Sequence, residues 1–218
     1  MIVGVEKKKV DEQNDIATVK SAEANKVAVE VTAKKESVQR DLDQAIPLVI
    51  KAEAALRGLS EKDFQMLKAM NNPPEMIKVT FTAVLNLYCG IDPIVPTDKK
   101  GRLKDEKPWG TSLKMMAKPA ALLEQLMNFK NLVDIDKVPA QNFDAIRDTL
   151  ANPEFTPENL ANKSSAAKGL CDWIINITAY YDVVVSVEPK KLAVKEAEEQ
   201  LATAMATKKE FEDLVADL

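Results

Sequence analysis

Two heptad patterns, one at each end of the chain, constrain the fold more than any other feature. Near the N-terminus, apolar residues recur every seven positions among polar and charged ones; the row is Val3, Val10, Ala17, Ala24, Val31, Val38 and Ala45. Near the C-terminus two rows run side by side, Val187, Val194, Leu201 and Val215 in one and Ala197, Ala204, Phe211 and Leu218 in the other. Such spacing is typical of coiled-coil helices. We therefore expect the two ends to pair antiparallel and the middle of the chain to form a head.

One proline stands beside the central region in each arm, Pro47 in the first and Pro189 in the second. Proline has no amide donor, and its ring clashes with the preceding turn, so it kinks or ends a helix. We take these as junction prolines. The predicted organisation is a first coiled-coil helix over 1–47, a globular head over 48–187 and a second coiled-coil helix over 188–218.

The second row of the first arm is mostly polar or small; it reads Lys7, Asn14, Ser21, Ala28, Lys35 and Leu42. One interpretation is that a short coiled coil tolerates polar seam positions at some cost in stability. The other is that two registers lie close in energy. The sequence leaves both open.

Composition favours an all-α fold. The 218 residues are 46% hydrophobic and 5% aromatic, with six glycines, and no segment alternates apolar and polar residues with a period of two. Cys89 and Cys171 lie in apolar runs, which favours buried, reduced thiols over a disulfide and indicates an intracellular protein. No apolar run approaches the length needed to cross a bilayer, so we expect no membrane contact.

Within the head, turn residues divide the chain into about six short helices and one irregular insert. The insert covers 91–110 and contains Pro93, Pro96, Gly101 and Pro108. Residues 48–57 are predicted to continue the first arm past Pro47 as far as Gly58. Further helices are predicted, with Ser60 as one N-cap, over about 60–70, 75–89, 111–127, 139–150, 157–162 and 164–187. The fold class is thus an antiparallel two-helix coiled coil capped by a small helical bundle.

The sequence offers no catalytic chemistry. It has no histidine, and its six scattered glycines cannot form a phosphate-binding loop. Paired carboxylates such as Glu198 and Glu199 fall on the coiled-coil surface, where charges are usually only solvated. We predict no catalytic residue, no metal site and no cofactor.

Several short segments, taken in order, closely resemble the stalk and microtubule-binding domain of dynein heavy chains. After the first arm and its proline come RGLSEKDFQMLK at 57–68 and NPP at 72–74, then NPEFTP at 152–157, GLCDW at 169–173 and VEP at 187–189. The resemblance covers essentially the whole chain. The long insert is more similar to axonemal chains, possibly of the inner-arm type.

The resemblance implies a non-enzymatic module of an ATP-driven motor. In that family AAA modules outside this chain hydrolyse ATP, and sliding of the coiled-coil register relays their state to the head. The head binds the junction of alpha- and beta-tubulin, which places the protein on the cytoskeleton, in the cytoplasm or in the axoneme of a cilium or flagellum. The basic positions that match the family's contact elements, or complete the face between them, are Arg57, Lys62, Lys68, Arg147, Lys163 and Lys168.

Two positions where the family often has lysines carry Ser60 and Glu61 here, which weakens the expected contact through that helix. The insert supplies further cations, Lys99, Lys100, Arg102, Lys104 and Lys107. These form either a second contact with acidic tubulin or a surface loop without a partner. Trp109 is expected to anchor the insert on the bundle, and Trp173 to lie in the core.

Two other functions are alternatives to microtubule binding. The chain could be a structural coiled-coil hairpin whose head binds a partner helix, which an exposed apolar patch would favour. Nucleic-acid binding is disfavoured, because 34 acidic residues exceed 30 basic ones and no basic run is interleaved with aromatic residues.

Overall fold

The computed structural model describes the backbone of residues 2–216 and the side chains of residue 8 and residues 10–216. The side chains of Val3 and Lys7, and residue Leu218, which belong to the heptad rows, lie outside the described residues. Within residues 2–216 the chain forms nine helices and no strand, which confirms the all-α prediction. The helices are α1 (Ile2–Arg57), α2 (Glu61–Lys68), α3 (Glu75–Leu87), α4 (Pro108–Met115), α5 (Pro119–Asp134), α6 (Ala140–Asp144), α7 (Arg147–Ala151), α8 (Pro157–Ala161) and α9 (Ser165–Ala216).

The chain divides into two compact units. The described residues up to Asp43, together with those from Val185 onward, form a two-helix unit from the first part of α1 and the last part of α9. Gln44–Val184 form a helical bundle, which contains the end of α1, the helices α2 to α8 and the start of α9.

The helices of the two-helix unit run antiparallel. Two ion pairs between them show the direction, Asp41 with Lys190 and Lys35 with Glu198, and Ala17 and Val215 line one groove further along. Residues earlier in α1 lie opposite residues later in α9, which is the antiparallel pairing that the heptad patterns predict.

Burial in this unit follows the predicted seam. Ala24 and Val31 of the apolar row on α1 are buried, and Val187 and Ala197 are buried on α9. In the polar row of α1, by contrast, Asn14 and Lys35 are exposed. One row of α1 therefore supplies most of its apolar packing.

The two junction prolines, at which the sequence predicts a kink or an end of the helix, do not end their helices. Helix α1 runs through Pro47 to Arg57, and α9 runs through Pro189 to Ala216. Both prolines are exposed. A carbonyl that loses its amide partner at an exposed position can bind water instead, which lowers the cost of proline inside a helix.

Two predicted helices of the bundle are each split. The helix predicted over 111–127 is wrong, because α4 starts earlier at Pro108, inside the predicted insert, and a second helix, α5, starts at Pro119. Proline suits the first turn of a helix and disfavours helical backbone in the residue before it, here Lys118. The helix predicted over 139–150 is also wrong as one element. It divides into α6 and α7 at Ile146, which is buried and has φ −106° and ψ 1°.

The core of the bundle is built around the first five turns of α9. Trp173 is 1% exposed, and its ring meets that of Phe129 edge-on with centroids 5.4 Å apart. Phe129 also contacts the rings of Tyr88 and Phe143. Each such aromatic side chain contributes roughly 1.5–3 kcal/mol by burial. The prediction that Trp173 is a core residue is confirmed.

Helix α9 also corrects the expectation about apolar length. It contains an 18-residue stretch apolar enough, by length and composition, to cross a membrane. Half of that stretch is buried inside the protein, and the core helix of a folded bundle satisfies the same criteria. Its apolar character is therefore explained by packing against the other helices of the bundle.

Candidate functional site

The starts of α2 and α9 meet through one carboxylate. Oδ2 of Asp63 accepts hydrogen bonds from the backbone amide of Ser60 at 2.8 Å and from its hydroxyl at 2.6 Å, which caps the first turn of α2. Oδ1 of Asp63 accepts a hydrogen bond from the hydroxyl of Ser165, the first residue of α9. Residues 102 positions apart in the chain are thus in direct contact.

This contact brings three of the predicted site lysines to one corner of the bundle. Lys62 precedes Asp63, while Lys163 and Lys168 lie two residues before and three residues after Ser165. All three side chains are exposed, and within the described residues none of them forms an ion pair. We call Lys62, Lys163 and Lys168 the basic corner.

Sequence reasoning missed a fourth cation, Lys51. A groove of about 430 Å³ runs between the end of α1 and the start of α9, and Lys51 and Lys168 both line it. Small residues at the end of α1 are the sequence feature that could have indicated how closely α1 and α9 approach each other. They are Ala54, Ala55 and Gly58. A glycine on the opposite helix, Gly169, completes the contact.

Lys68 lies at the other end of α2 and is also exposed. Three residues further on, Asn71 begins a turn that lines a second groove, of about 690 Å³, together with Lys107 and Trp109. The far end of α2 therefore leads toward the C-terminal end of the insert. Lys107 is exposed as well.

Two predicted site cations are already engaged within the bundle. Arg57 pairs with Glu53 at 2.9 Å on the surface of α1. Arg147 donates two hydrogen bonds to the carboxylate of Asp182, at 2.9 and 2.6 Å. The hydrogen bonds to Asp182 raise the pKa of Arg147 above its ordinary value. These guanidinium groups have fewer donors left for a partner than the lysines of the basic corner.

The insert is folded around Asp98. Its carboxylate accepts hydrogen bonds from the backbone amides of Lys100 and Arg102 and from the Arg102 guanidinium, while Gly101 supplies φ +77° for the tight turn. The hydrogen bond from the Arg102 amide is the first cause of a lowered pKa at Asp98. A single antiparallel bridge joins Thr97 to Leu103.

Trp109 anchors the end of the insert, as the sequence predicted. Its ring meets that of Phe81 edge-on at 5.6 Å between centroids. Of the five cations of the insert, only Arg102 is ion-paired among the residues that the structure describes. The other four are exposed; they are Lys99, Lys100, Lys104 and Lys107.

The thiols and phenols of the bundle are held in their neutral forms. Burial raises the pKa of Cys89 to about 11 and that of Cys171 to about 12, and both thiols are free. Burial also raises the pKa of Tyr88 and Tyr180. A nucleophilic cysteine needs the opposite shift. Across the described residues, no group of three or more acidic or cysteine side chains is placed to hold a metal ion.

Comparison with known proteins places the chain in one family. A family model described as the microtubule-binding stalk of dynein motors matches residues 1–218. The flagellar outer-arm dynein beta chain of Chlamydomonas reinhardtii is 35% identical over 202 residues, or 92% of this chain. Dynein heavy chain-like protein 2 of Plasmodium falciparum is 32% identical over 202 residues, and dynein axonemal heavy chain 17 of Homo sapiens is 32% identical over 203 residues, each covering 93% of this chain. The chain spans only 4% of the length of each of these relatives.

The residues that the structure describes form an all-α module, with a helical bundle that has three exposed lysines at one corner and an antiparallel helix pair. The chain belongs to the family of microtubule-binding stalks of dynein motors. The predicted resemblance is confirmed, and the relatives that the chain matches include chains named as axonemal, ciliary or flagellar. The family supports the microtubule-binding interpretation over the hairpin that binds a partner helix. The inner-arm subtype stays a prediction, and one of the relatives is named an outer-arm chain.

Proposed function

We propose that the bundle docks on the microtubule through the basic corner, Lys62, Lys163 and Lys168, with Lys68 and Lys51 extending the face. The observation that carries this proposal is the Asp63–Ser165 contact, which brings cations from two distant segments together. The chain as a whole has a net charge of −4, so its attraction to acidic tubulin depends on local charge. Unpaired, exposed lysines offer that charge without first breaking an ion pair.

The insert is a second contact in this proposal. Lys99 and Lys100 lie in a turn that Asp98 holds in shape, and Lys104 and Lys107 follow it with backbone amides hydrogen-bonded to Pro96 and Asp105. The loop therefore presents its exposed lysines with little ordering cost. Arg57 and Arg147 take a smaller part, because each already has a carboxylate partner. Charge-dependent docking of this kind weakens with salt, since the Debye length is about 8 Å at physiological ionic strength.

The two-helix unit relays the state of the motor in this proposal. Its polar seam on α1 loses little apolar packing when one helix shifts against the other, which supports communication through register. ATP hydrolysis occurs in modules outside this chain, and the chain itself contributes no catalytic group. The raised pKa values of Cys89 and Cys171 support a non-catalytic role. The complete motor acts in the axoneme of a cilium or flagellum.

Co-sedimentation with stabilised microtubules across a salt series tests the docking face. We expect saturable binding that weakens with salt, a clear loss for Lys62→Gln and Lys163→Gln, and no binding to duplex DNA. Lys137→Gln is the matched control. Lys137 is exposed and lies three residues after Asp134, whose carboxylate accepts a hydrogen bond from Tyr180, fifteen residues along α9 from Ser165. Tyr180 is about 22 Å from Ser165 along the axis of α9, so Lys137 belongs to the part of the bundle away from the basic corner.

The control separates local from total charge. Equal losses for the Lys137 variant and the two corner variants would mean that only net charge matters and that the corner is not the docking face. A further version with the four exposed lysines of the insert changed to glutamine measures the second contact. Unchanged binding of that version would remove the insert from the interface.

A further inference from the structure

We propose that Asp63 is a positioning residue for microtubule binding, whose carboxylate fixes α2 against the first turn of α9 so that the basic corner is assembled before contact. This inference rests on the proposed docking face and adds the device that sets its geometry. Asp63 itself carries the charge that acidic tubulin repels, so its role is not direct attraction.

Helix α2 needs an external restraint. It has eight residues, and helices shorter than about 12 residues are marginal in water without tertiary contacts. Only Phe64 and Leu67 are buried along it, three positions apart on one face. Those two anchors decide which face points to the core. Its first turn, where Lys62 lies, is held from the side by Asp63.

The first turn of α9 is the fixed partner in this contact. Gly169 packs so closely on the end of α1 that an added methyl would lie 2.7 Å from Cδ2 of Leu59. The start of α9 is therefore positioned by α1, and Ser165 presents its hydroxyl from a defined place. The Ser165 hydroxyl donates a hydrogen bond to Asp63, and this side-chain bond joins the first turn of α9 to α2.

The carboxylate is well suited to hold both elements at once. Its two oxygens take different partners, Ser60 on one side and Ser165 on the other. The hydrogen bond from Ser165 is the first cause of a lowered pKa at Asp63, so the group stays ionised throughout the neutral range. Hydrogen bonds to an ionised acceptor are stronger and more directional than those between neutral groups.

Charge and positioning predict opposite results when Asp63 is removed. If Asp63 acted only through its charge, Asp63→Ala would strengthen binding to an acidic filament. Glu61→Ala is the matched control for that effect, because Glu61 lies two residues away in the same first turn of α2 and is exposed. If Asp63 positions the corner, Asp63→Ala weakens binding while Glu61→Ala leaves it unchanged or stronger.

Ser165→Ala isolates the link between the helices. It removes the bond to Asp63 without changing charge, and it leaves the Ser60–Asp63 cap of α2 in place. We expect Asp63→Ala and Ser165→Ala each to raise the microtubule dissociation constant about fivefold or more, as for loss of one hydrogen bond to a charged group. Ser165→Thr keeps the hydroxyl and is expected to restore binding. The double variant is expected to be no worse than Asp63→Ala alone, because both changes break the same link.

The measurement is microtubule co-sedimentation of the 218-residue chain and its variants at one low salt concentration, with thermal unfolding recorded for each. If the Asp63→Ala variant binds as tightly as the Glu61→Ala variant, the proposal is overturned. It is also overturned if the Ser165→Ala variant binds like the unsubstituted chain. Should Asp63→Ala unfold, the Ser165 pair of variants decides alone. Absence of binding by the unsubstituted chain overturns the docking face and this inference together, whereas binding that is insensitive to both changes overturns only the positioning role.

Discussion

Gly169 of α9 lies directly against Ala55 of α1. A methyl group on Gly169 would approach the carbonyl oxygen of Ala55 to 3.0 Å and Cδ2 of Leu59 to 2.7 Å. The backbone at Gly169 is helical, so its glycine is required by the closeness of two helices and not by a special φ. This contact fixes the start of α9, beside which the basic corner lies.

We expect Gly169→Ala to destabilise the protein, although glycine to alanine in a helix usually stabilises it by about 1 kcal/mol. The added methyl must displace Leu59 or the backbone of α1, and overpacking of this kind costs about 1–3 kcal/mol. Gly110→Ala is the control, because Gly110 also lies in a helix and an added methyl there meets nothing within 4 Å. Urea unfolding should therefore give changes of opposite sign; a stabilising Gly169→Ala would show that the two helices can separate without loss.

Asn142 holds the end of α3 to α6. Its side-chain amide donates hydrogen bonds to the carbonyl of Leu87 at 3.0 Å and to that of Cys89 at 2.8 Å, and the residue is buried. These are carbonyls at a helix end, which lack partners within the helix. We expect Asn142→Ala to lower the free energy of unfolding by about 2–3 kcal/mol, because two buried acceptors are left unpaired.

The comparison for Asn142 is Asn131→Ala. Asn131 is exposed, and its amide donates to the side chain of Asn128 at 2.8 Å. Its loss should change stability by less than about 0.5 kcal/mol. Similar losses from both variants, measured by urea unfolding, would mean that the carbonyls of Leu87 and Cys89 find water when Asn142 is removed.

The ion pair between Arg147 and Asp182 makes a separate prediction about the docking face. Arg147→Gln should lower the free energy of unfolding by up to about 1 kcal/mol, the range of partly exposed pairs. It should weaken microtubule binding less than Lys163→Gln, because the guanidinium is already engaged. Parallel measurements of unfolding and co-sedimentation check this. If Arg147→Gln weakens binding as much as Lys163→Gln, the pair opens on the microtubule and Arg147 is a direct contact.

Hydrophobic periodicity and the positions of proline and capping residues predicted most of the fold. The helix bounds that were predicted wrongly have local causes. The heptad rows predicted which residues of α1 are buried, and Thr156 with Pro157 predicted α8, where the Thr156 hydroxyl accepts from the amide of Asn159 at 3.2 Å. The helix over 111–127 failed at Pro119, because a proline that starts a helix and one that ends a helix look alike in sequence. Pro47 and Pro189 lie inside continuous helices because exposed carbonyls tolerate the missing amide.

The candidate site was predictable residue by residue but not as an arrangement. Resemblance indicated Lys62 and Lys163 separately, yet their proximity depends on Asp63 and Ser165, which are 102 positions apart. The pairing of Arg147 with Asp182 likewise joins residues 35 positions apart. Such contacts leave no periodic signal in a single sequence. Lys51 was missed for the same reason, since it becomes a candidate contact only because it lines the same groove as Lys168.

The register of the two-helix unit can be tested through the pair between Lys35 and Glu198. Lys35→Glu places two carboxylates together and should lower the melting temperature, and adding Glu198→Lys should restore it in the observed register. Each effect should be about 0.2–1 kcal/mol, because both side chains are about half exposed. Failure of the second change to rescue the first would indicate that the helices adopt another register in solution.

The two buried thiols predict a loss of stability in mild alkali. Burial raises the pKa of Cys89 to about 11 and that of Cys171 to about 12, whereas an unfolded thiol ionises near pH 8.5. Because the folded pKa values are raised, this stabilisation is complete below about pH 8.5 and declines as pH rises toward the folded values. Between pH 7.5 and 9.5 each thiol should remove roughly 1 kcal/mol from the free energy of unfolding, before unfolded tyrosines begin to ionise near pH 10. Urea unfolding in reductant at both pH values measures the loss, and the Cys89→Ala, Cys171→Ala double variant, although less stable overall, should lose much less over the same interval. An equal loss in the variant would assign the alkaline sensitivity to groups other than the thiols.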